Sequence, residues 1–159
     1  MKVGVVMGSK SDLPVVEKGI QVLKEFGVEP VVRILSAHRT PSQAEDFSKT
    51  AEAEGIEVII AAAGKAAHLG GVLAANTPVP VIGIPMKTSD MGGLDSLLST
   101  VQMPKGVPVA TVAIGGAENA ALLAVKMLSI KYPELREKFR TYKKQQEEEI
   151  LKIDSELEY

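Results

Sequence analysis

Five short apolar runs without regular polar alternation constrain the fold of this chain more than any other feature. They extend over residues 3–7, 31–35, 58–63, 79–84 and 107–114. Strands covered by helices on both faces have such uninterrupted apolar sequences, whereas strands with one solvated face alternate apolar and polar residues. The runs therefore predict a parallel sheet of about five strands, buried between two helical layers.

Helical patterns separate the apolar runs. The first has an apolar stripe at helical spacing, formed by Val15, Val16, Ile20, Leu23 and Phe26. Alternating strands and helices with right-handed crossovers predict an α/β fold with three αβα layers and a doubly wound sheet. We expect a single domain, because 159 residues with 45% hydrophobic content suit one core. The strand order we expect is the flavodoxin-like order 2-1-3-4-5.

Three helix starts can be located from local signals. Thr40, Pro41 and Gln43 match the N-cap, N1 and N3 positions of a capping box, which predicts a helix from residue 41. Asp12 is expected to cap an earlier helix that has Pro14 in its first turn. A short amphipathic helix should follow the glycine pair at 92–93, because its apolar residues recur at helical spacing: Leu94, Leu97, Leu98 and Val101.

The segment 133–159 differs from the rest because it is rich in Lys and Glu. Its apolar residues form a narrow stripe of Leu135, Phe139, Tyr142, Ile150, Ile153 and Leu157. A stripe this narrow buries little surface against its own domain. Two interpretations follow, a solvated terminal helix or an arm that docks on a neighbouring subunit. We therefore divide the chain into a flavodoxin-like domain, residues 1–132, and a C-terminal helix, residues 133–159.

Composition limits the classes of partner. The formal net charge is −2 and the basic residues are scattered, so no surface for nucleic acid or an anionic membrane is predicted. The chain has no cysteine, and no carboxylate stands at ligand spacing from either histidine, so we expect no metal site. The N-terminus has no long apolar stretch, and we expect a cytoplasmic protein with a small-molecule ligand.

The loops after the first three runs contain most of the residues suited to chemistry. In an open parallel sheet, ligands bind beyond the carboxyl ends of the strands, where the strand order reverses. With the expected order, the loops at residues 8–12, 36–41 and 63–71 meet at that point. We therefore predict one site formed by all three loops.

The loop at residues 8–12, Gly-Ser-Lys-Ser-Asp, is suited to an anion. It leads into a helix N-terminus, where free backbone N–H groups and serine hydroxyls attract negative charge. The loop matches neither GxGxxG nor Walker A, which favours a monophosphate over a dinucleotide or triphosphate. Ser9 and Asp12 are equally consistent with plain helix capping, and Asp12 can also accept hydrogen bonds from sugar hydroxyls. Arg39 can clamp a phosphate or pair with a carboxylate.

Both histidines of the chain, His38 and His68, follow apolar runs. Imidazole exchanges protons near neutral pH, so His38, which precedes Arg39 and a helix start, is our candidate general acid and base. His68 lies among Ala and Gly residues, where the backbone can approach a ligand closely. It either binds substrate or hydrogen-bonds to a neighbouring loop.

Several segments of the sequence resemble one enzyme family, the class I N5-carboxyaminoimidazole ribonucleotide mutases of purine biosynthesis. The resemblance extends from about Val3 to Leu128 and is carried by GSKSD, SAHRTP, AGKAAHLGG, GLDSLLSTVQMPKGVPVATVAI and NAALLA. It implies an isomerase that converts N5-carboxyaminoimidazole ribonucleotide to 4-carboxy-5-aminoimidazole ribonucleotide by decarboxylation and recarboxylation. It also implies a ribonucleoside monophosphate substrate and no ATP, metal or organic cofactor.

The same resemblance implies roles for individual residues. His38 and His68 correspond to catalytic positions, and the substrate-binding positions are Ser9, Asp12, Ser36 and Arg39. It further implies a homo-octamer with active sites between subunits, in which the C-terminal helix docks on a neighbour.

The third loop departs from the family pattern, which usually reads GAGGAAHLPGM. Here Lys65 replaces a glycine and Gly70 replaces a proline. We expect the lysine to change the charge near the reacting ring and the glycine to loosen the loop. Two other functions remain open, a carboxylase that takes aminoimidazole ribonucleotide and CO2 directly, or a non-catalytic nucleotide-binding domain. SAHRTP and AAHLGG favour the mutase, because the direct carboxylases typically have SAHK and an AGRSN-like segment.

Overall fold

A five-stranded parallel sheet forms the centre of the computed structural model, which describes residues 1–158. The strands are β1 (Lys2–Met7), β2 (Glu29–Ile34), β3 (Ile56–Ala63), β4 (Val81–Pro85) and β5 (Ala110–Thr111). Their order is β2-β1-β3-β4-β5, and every neighbouring pair is parallel. The predicted flavodoxin-like fold and strand order are therefore confirmed, with the reversal of order between β1 and β3.

Helices cover both faces of the sheet. They are α1 (Leu13–Glu25), α2 (Pro41–Thr50), α3 (Leu69–Ala75), α4 (Leu94–Val101), α5 (Ala117–Leu128) and α6 (Pro133–Ser155). Val3, Val5 and Met7 of β1 face a core shared with α1 and α5, whereas Val6 faces a second core shared with α2 and α3. Because successive strand residues point to opposite faces, one apolar run supplies both cores.

The fifth strand is much shorter than predicted. The apolar run 107–114 contains a strand of two residues, which pair with Ile82 and Gly83 of β4. Pro108 lies within the run, and proline has no N–H group to donate to a sheet ladder. Beyond the strand, only single bonds to the β4 edge continue, from Val112 N to Gly83 O at 3.1 Å and from Gly115 N to Pro85 O at 2.8 Å.

Two segments are more exposed than predicted, namely the strand expected to be covered on both faces at residues 31–35 and the amphipathic helix expected after residues 92–93. The edge strand β2 exposes Val32 and Ile34 by 41% and 51%. In α4, the predicted apolar stripe exists but Leu94 and Leu98 face solvent, while Ser96 and Thr100 are buried. The side of α4 that packs against the sheet is the one with the small polar residues Ser96 and Thr100, and Thr100 lies directly over Gly83 of β4.

The predicted capping residues do not cap through their side chains. Thr40 precedes α2 and Pro41 is its first residue, but Thr40 makes no side-chain capping bond. Its hydroxyl instead accepts from Ser36 N at 2.8 Å and contacts Ser36 O at 3.1 Å, closing the turn that precedes the helix. Asp12 likewise makes no capping bond to α1, so the capping box and the Asp12 cap are both wrong.

The long helix α6 has two different halves. In the first half Leu135 is fully buried, and Phe139 and Tyr142 pack around Phe26 with ring centroids 6.2 and 5.8 Å from it. The second half exposes three large apolar side chains by more than half, Ile150, Leu151 and Ile153, and Leu157 just beyond the helix is exposed as well. No helix within residues 1–158 is both long and apolar enough to cross a membrane.

Candidate active site

The loops that follow β1, β2, β3 and β4 surround one cavity of about 460 Å³ at the carboxyl edge of the sheet. All six residues that the sequence singled out line it, namely Ser9, Asp12, Ser36, His38, Arg39 and His68. The sheet order explains this convergence, because β1 and β3 lie at the reversal point and β2 lies beside β1. The predicted meeting of three separate loops is therefore observed.

The two histidines are joined across the cavity. His38 Nε2 lies 2.9 Å from His68 Nδ1, and the rings meet edge to face at 85°. Of the two interpretations left open for His68, a bond to a neighbouring loop is thus present. Such a bond needs one ring nitrogen to donate and the other to accept, so the two rings cannot both be imidazolium ions while it lasts. The pair therefore holds one shared proton between the loops after β2 and β3.

A compact turn holds His38 in place. Ser36 O accepts from Thr40 N at 2.9 Å, and Ser36 Oγ accepts from Arg39 N at 3.2 Å. These bonds encircle residues 36–40, immediately before α2 begins at Pro41. His38 thus projects from a fixed turn and not from a free loop.

Arg39 connects the first two loops. Its Nη2 donates to Gly8 O at 2.7 Å, and its Nε lies 3.4 Å from Ser36 Oγ. Within residues 1–158 it forms no ion pair, so the alternative of a carboxylate partner is not observed. The guanidinium has five donors, and those not used here can face an anion in the cavity.

The first loop leaves the Asp12 carboxylate available to a ligand. Ser9 Oγ accepts from Ser11 N at 3.3 Å and from Ser11 Oγ at 2.8 Å, which caps the short 3-10 turn before α1. Burial raises the pKa of the Asp12 carboxyl, and hydrogen bonding with the Ser9 backbone and the Ser11 hydroxyl partly opposes that shift. A half-buried carboxylate that caps no helix is suited to accept hydrogen bonds from hydroxyl groups.

A fourth loop contributes to the cavity and was missed by the sequence analysis. It follows β4 and lines the wall opposite Arg39 with Met86, Lys87, Thr88 and Ser89. Thr88 Oγ1 donates to Asp95 Oδ1 at 2.8 Å and accepts from Gly93 N at 3.1 Å, which anchors the loop to α4. The polar run Lys87-Thr88-Ser89, two residues beyond the fourth apolar run, was the sequence signal that could have identified this loop.

Lys65 occupies an unusual position at the mouth of the cavity. It is the one non-glycine residue with a positive φ in residues 1–158, at 54°. Its Nζ lies 2.8 Å from Asp90 Oδ2, which joins the loop after β3 to the loop after β4. The hydrogen bond and charge of Asp90 raise the pKa of Lys65, and those of Lys65 lower the pKa of Asp90, so both groups stay ionised near neutral pH.

Gly70, at which we expected a looser third loop, lies in a helix, and the loosening itself stays a prediction. Gly70 is the second residue of α3 and is buried, with Val109 Cγ1 and Ala61 Cβ as its nearest side-chain neighbours. The substitution therefore affects the first turn of a packed helix and not a free loop.

Among residues 1–158, no group of three or more metal-ligating side chains converges.

Comparison with known proteins agrees with the geometry. The family model described as AIR carboxylase matches residues 2–149. A Pyrococcus abyssi protein named N5-carboxyaminoimidazole ribonucleotide mutase is 60% identical over 142 residues, covering 89% of this chain and 82% of that protein. A Thermotoga maritima protein of the same name is 54% identical over 157 residues, covering 99% and 92%. The crystal structure of Treponema denticola PurE has a TM-score of 0.88 at 30% identity and covers 99% of both chains.

Proposed function

This chain belongs to the AIR carboxylase family, and we infer from its site that it is an N5-carboxyaminoimidazole ribonucleotide mutase, an isomerase of purine biosynthesis. The observation that carries this function is the histidine pair in a cavity that also holds a half-buried carboxylate and an arginine. A nucleotide monophosphate offers a matching set of groups, namely a phosphate, ribose hydroxyls and a ring that exchanges protons.

We assign substrate binding to the loops after β1 and β2. Ser9, Ser36 and Arg39 offer hydroxyl and guanidinium donors to the phosphate, and Asp12 accepts from the ribose hydroxyls. In support, Arg39 is held by Gly8 O and Ser36 Oγ, so its remaining donors are oriented before a ligand arrives. This arrangement leaves the aminoimidazole ring near the histidine pair.

The reaction needs one group that both accepts and returns a proton. When the N–carboxylate bond breaks, its electron pair stays on nitrogen, which takes up one proton to become the free amine of aminoimidazole ribonucleotide, and CO2 is released. C4 of the electron-rich ring then attacks CO2, and one proton must leave C4 to restore the aromatic ring. We propose that His38 transfers this proton and that His68, bonded to it at 2.9 Å, orients its ring and shares the charge. Recapture of CO2 depends on a cavity that water does not enter.

The decisive experiment compares the two reactions that the family name and the relatives' names suggest. Purified protein is given either N5-carboxyaminoimidazole ribonucleotide, or aminoimidazole ribonucleotide with and without bicarbonate, and formation of the C4-carboxylated nucleotide is followed. A mutase converts the first substrate at low bicarbonate and the second slowly. A direct carboxylase needs bicarbonate and ignores the N-carboxylated substrate, and binding without turnover would identify a nucleotide-binding domain.

We further propose that the protein is a homo-octamer that acts in the cytoplasm, with residues 1–132 as the catalytic domain and residues 133–159 as a helix docked on a neighbour. Support comes from the exposed apolar residues of α4 and of the second half of α6. His38 and His68 are also exposed in the single chain, whereas retention of CO2 requires cover. The phosphorylated substrate is charged and does not cross membranes unaided, which favours the cytoplasm.

A further inference from the structure

Lys65 and Asp90 meet at the mouth of the cavity, and their side chains are 72% and 61% exposed. We propose that Lys65 is a substrate-binding residue whose ammonium group leaves Asp90 and holds the carboxylate that the reaction transfers. The inference rests on the proposed mutase function, because both its substrate and its product carry that carboxylate.

The Lys65–Asp90 pair is of a kind that a ligand can replace. Ion pairs between exposed side chains contribute little to stability, because water and salt screen them. The lysine stem is flexible and its ammonium has three donors, so Nζ can exchange one carboxylate for another at little cost. Asp90 therefore competes with a ligand carboxylate for the Lys65 ammonium group.

The backbone at Lys65 supports a functional role. A side chain at φ 54° is disfavoured for residues other than glycine, and such strained positions cluster at ligand-binding sites. Lys65 lines the same cavity as the histidine pair and stands three residues before His68 in the chain. A cation is thereby available in the wall of the cavity in which the ring of the nucleotide is expected.

The positions of the two cations on the sheet assign their ligands. Arg39 lies on the β2 side and is bonded to the loop after β1, whereas Lys65 lies on the β3 side and reaches the loop after β4. His38 extends from the first side to His68 on the second. A carboxylated nucleotide has a phosphate at one end and a carboxylate at the other, so Arg39 receives the phosphate and Lys65 the carboxylate.

A simpler role for the Lys65–Asp90 pair is that of a strap, which holds the loops after β3 and β4 together. If the pair is a strap, removal of either partner breaks the same bond, and both changes alter ligand affinity in the same direction. If Asp90 is a competitor, loss of Lys65 weakens binding and loss of Asp90 strengthens it. Opposite directions are therefore the expected signature.

The test measures dissociation constants by calorimetry for two nucleotides that differ only in the carboxylate, the C4-carboxylated product and aminoimidazole ribonucleotide. Lys65→Met should raise the dissociation constant of the product about tenfold and leave that of aminoimidazole ribonucleotide within about twofold of its original value. Asp90→Asn should lower the dissociation constant of the product about two- to threefold. Lys49→Met, which removes the same charge from another exposed ion pair, that with Glu45 in α2, and lies outside the cavity lining, is the matched control and should change neither constant.

Three results would overturn the assignment. They are equal weakening of both nucleotides by Lys65→Met, no change with that variant, or weaker product binding by Asp90→Asn. The proposed function is checked separately, because the unmodified protein must first isomerise the N-carboxylated substrate. If it binds the product but does not isomerise, the function fails while the carboxylate contact is still decided by the two constants.

Discussion

The histidine pair is the smallest unit from which the chemistry follows. A single proton lies between two rings from different loops, and the turn at Ser36 fixes one ring while α3 begins immediately after the other. Because Nε2 of His38 is engaged with His68, His38 can exchange a proton with a ligand at Nδ1 while the bond lasts, or at Nε2 once the bond opens. The two rings therefore form one hydrogen-bonded unit.

Replacing His38 by Asn is expected to abolish turnover while nucleotide binding persists. Asn keeps a polar group of similar size but cannot exchange protons, so kcat should fall about 10²- to 10⁴-fold. Affinity for the product nucleotide, measured by calorimetry, should stay within about threefold because the phosphate and ribose contacts remain. His68→Asn serves as the comparison and should reduce kcat less. Turnover of His38→Asn close to that of the unmodified enzyme would remove the ring from the mechanism.

Asp12 illustrates a cost in stability at a proposed binding site. Burial raises the pKa of its carboxyl in the folded chain, so the folded state holds the proton more firmly than the unfolded chain does. Ionised Asp12 therefore lowers stability at pH values above this raised pKa, and the penalty disappears as the pH falls and the carboxyl is protonated in both states.

Asp12→Asn should accordingly raise Tm by about 1–2 °C near neutral pH, because the partly exposed site limits the gain to about 0.5 kcal/mol. The increase should vanish at acid pH, where the carboxyl of the unmodified protein is already neutral. Thermal unfolding across the pH range checks this, with the exposed Asp46→Asn in α2 as control. An increase in Tm that is the same at every pH would show that desolvation of the charge is not the cause.

At the scale of elements, the sequence predicted which segments form strands and helices better than it predicted their surroundings. Apolar runs identified β1 to β4, because periodicity reports directly on backbone geometry. Their order was expected from the alternation of strands and helices, which is typical of a flavodoxin-like sheet. The same rule failed for the apolar side of α4, since Leu94 and Leu98 are exposed while Thr100 is buried over Gly83. Periodicity identifies an apolar face but does not say which surface will cover it.

Local hydrogen bonds were the other source of error. Thr40 was expected to cap α2, but its hydroxyl closes a turn with Ser36, and both arrangements satisfy the same polar group. The choice depends on the position of the turn over the sheet, which spacing along the chain does not encode. The site was nevertheless predictable in outline, because loops at the carboxyl ends of neighbouring strands must converge.

Gly83→Ala should destabilise the protein through the contact between β4 and α4. A Cβ at this position would lie 2.4 Å from Thr100 Cγ2 and 3.1 Å from Val109 Cγ1, so the helix must move outwards. We expect the free energy of unfolding, measured in urea, to fall by about 1–3 kcal/mol.

Two companion variants make the Gly83 test specific. Gly70→Ala in α3 has only ordinary contacts, 3.6 Å and longer, and should leave stability unchanged or slightly increased. Adding Thr100→Ser to Gly83→Ala removes the clashing methyl group and should recover part of the loss. Full stability of Gly83→Ala alone would contradict the close packing of these two elements.

At the scale of the whole molecule, both the exposed apolar side chains and the open cavity could be covered by a neighbouring subunit. β2, α4 and the second half of α6 each present large apolar side chains to solvent in the single chain. Large exposed apolar surfaces in a protein of this size are typical of interaction sites. The sequence alone suggested an arm at residues 133–159, but it could not separate the buried first half of α6 from the exposed second half.

The second half of α6 provides the test of assembly, because it can be changed without touching the core contacts of Leu135, Phe139 and Tyr142. Placing Glu at both Ile150 and Ile153, which are 64% and 57% exposed, should leave the chain folded and weaken the proposed contact with a neighbour. The mass in solution, from light scattering after gel filtration, should then fall below that of the unmodified protein. Replacing Glu147 and Glu149 by Gln on the same helix is the control, and it should preserve the mass. If the Ile150 and Ile153 variant keeps the full mass and the same unfolding temperature, α6 does not hold the subunits together and the cover over His38 must come from another element.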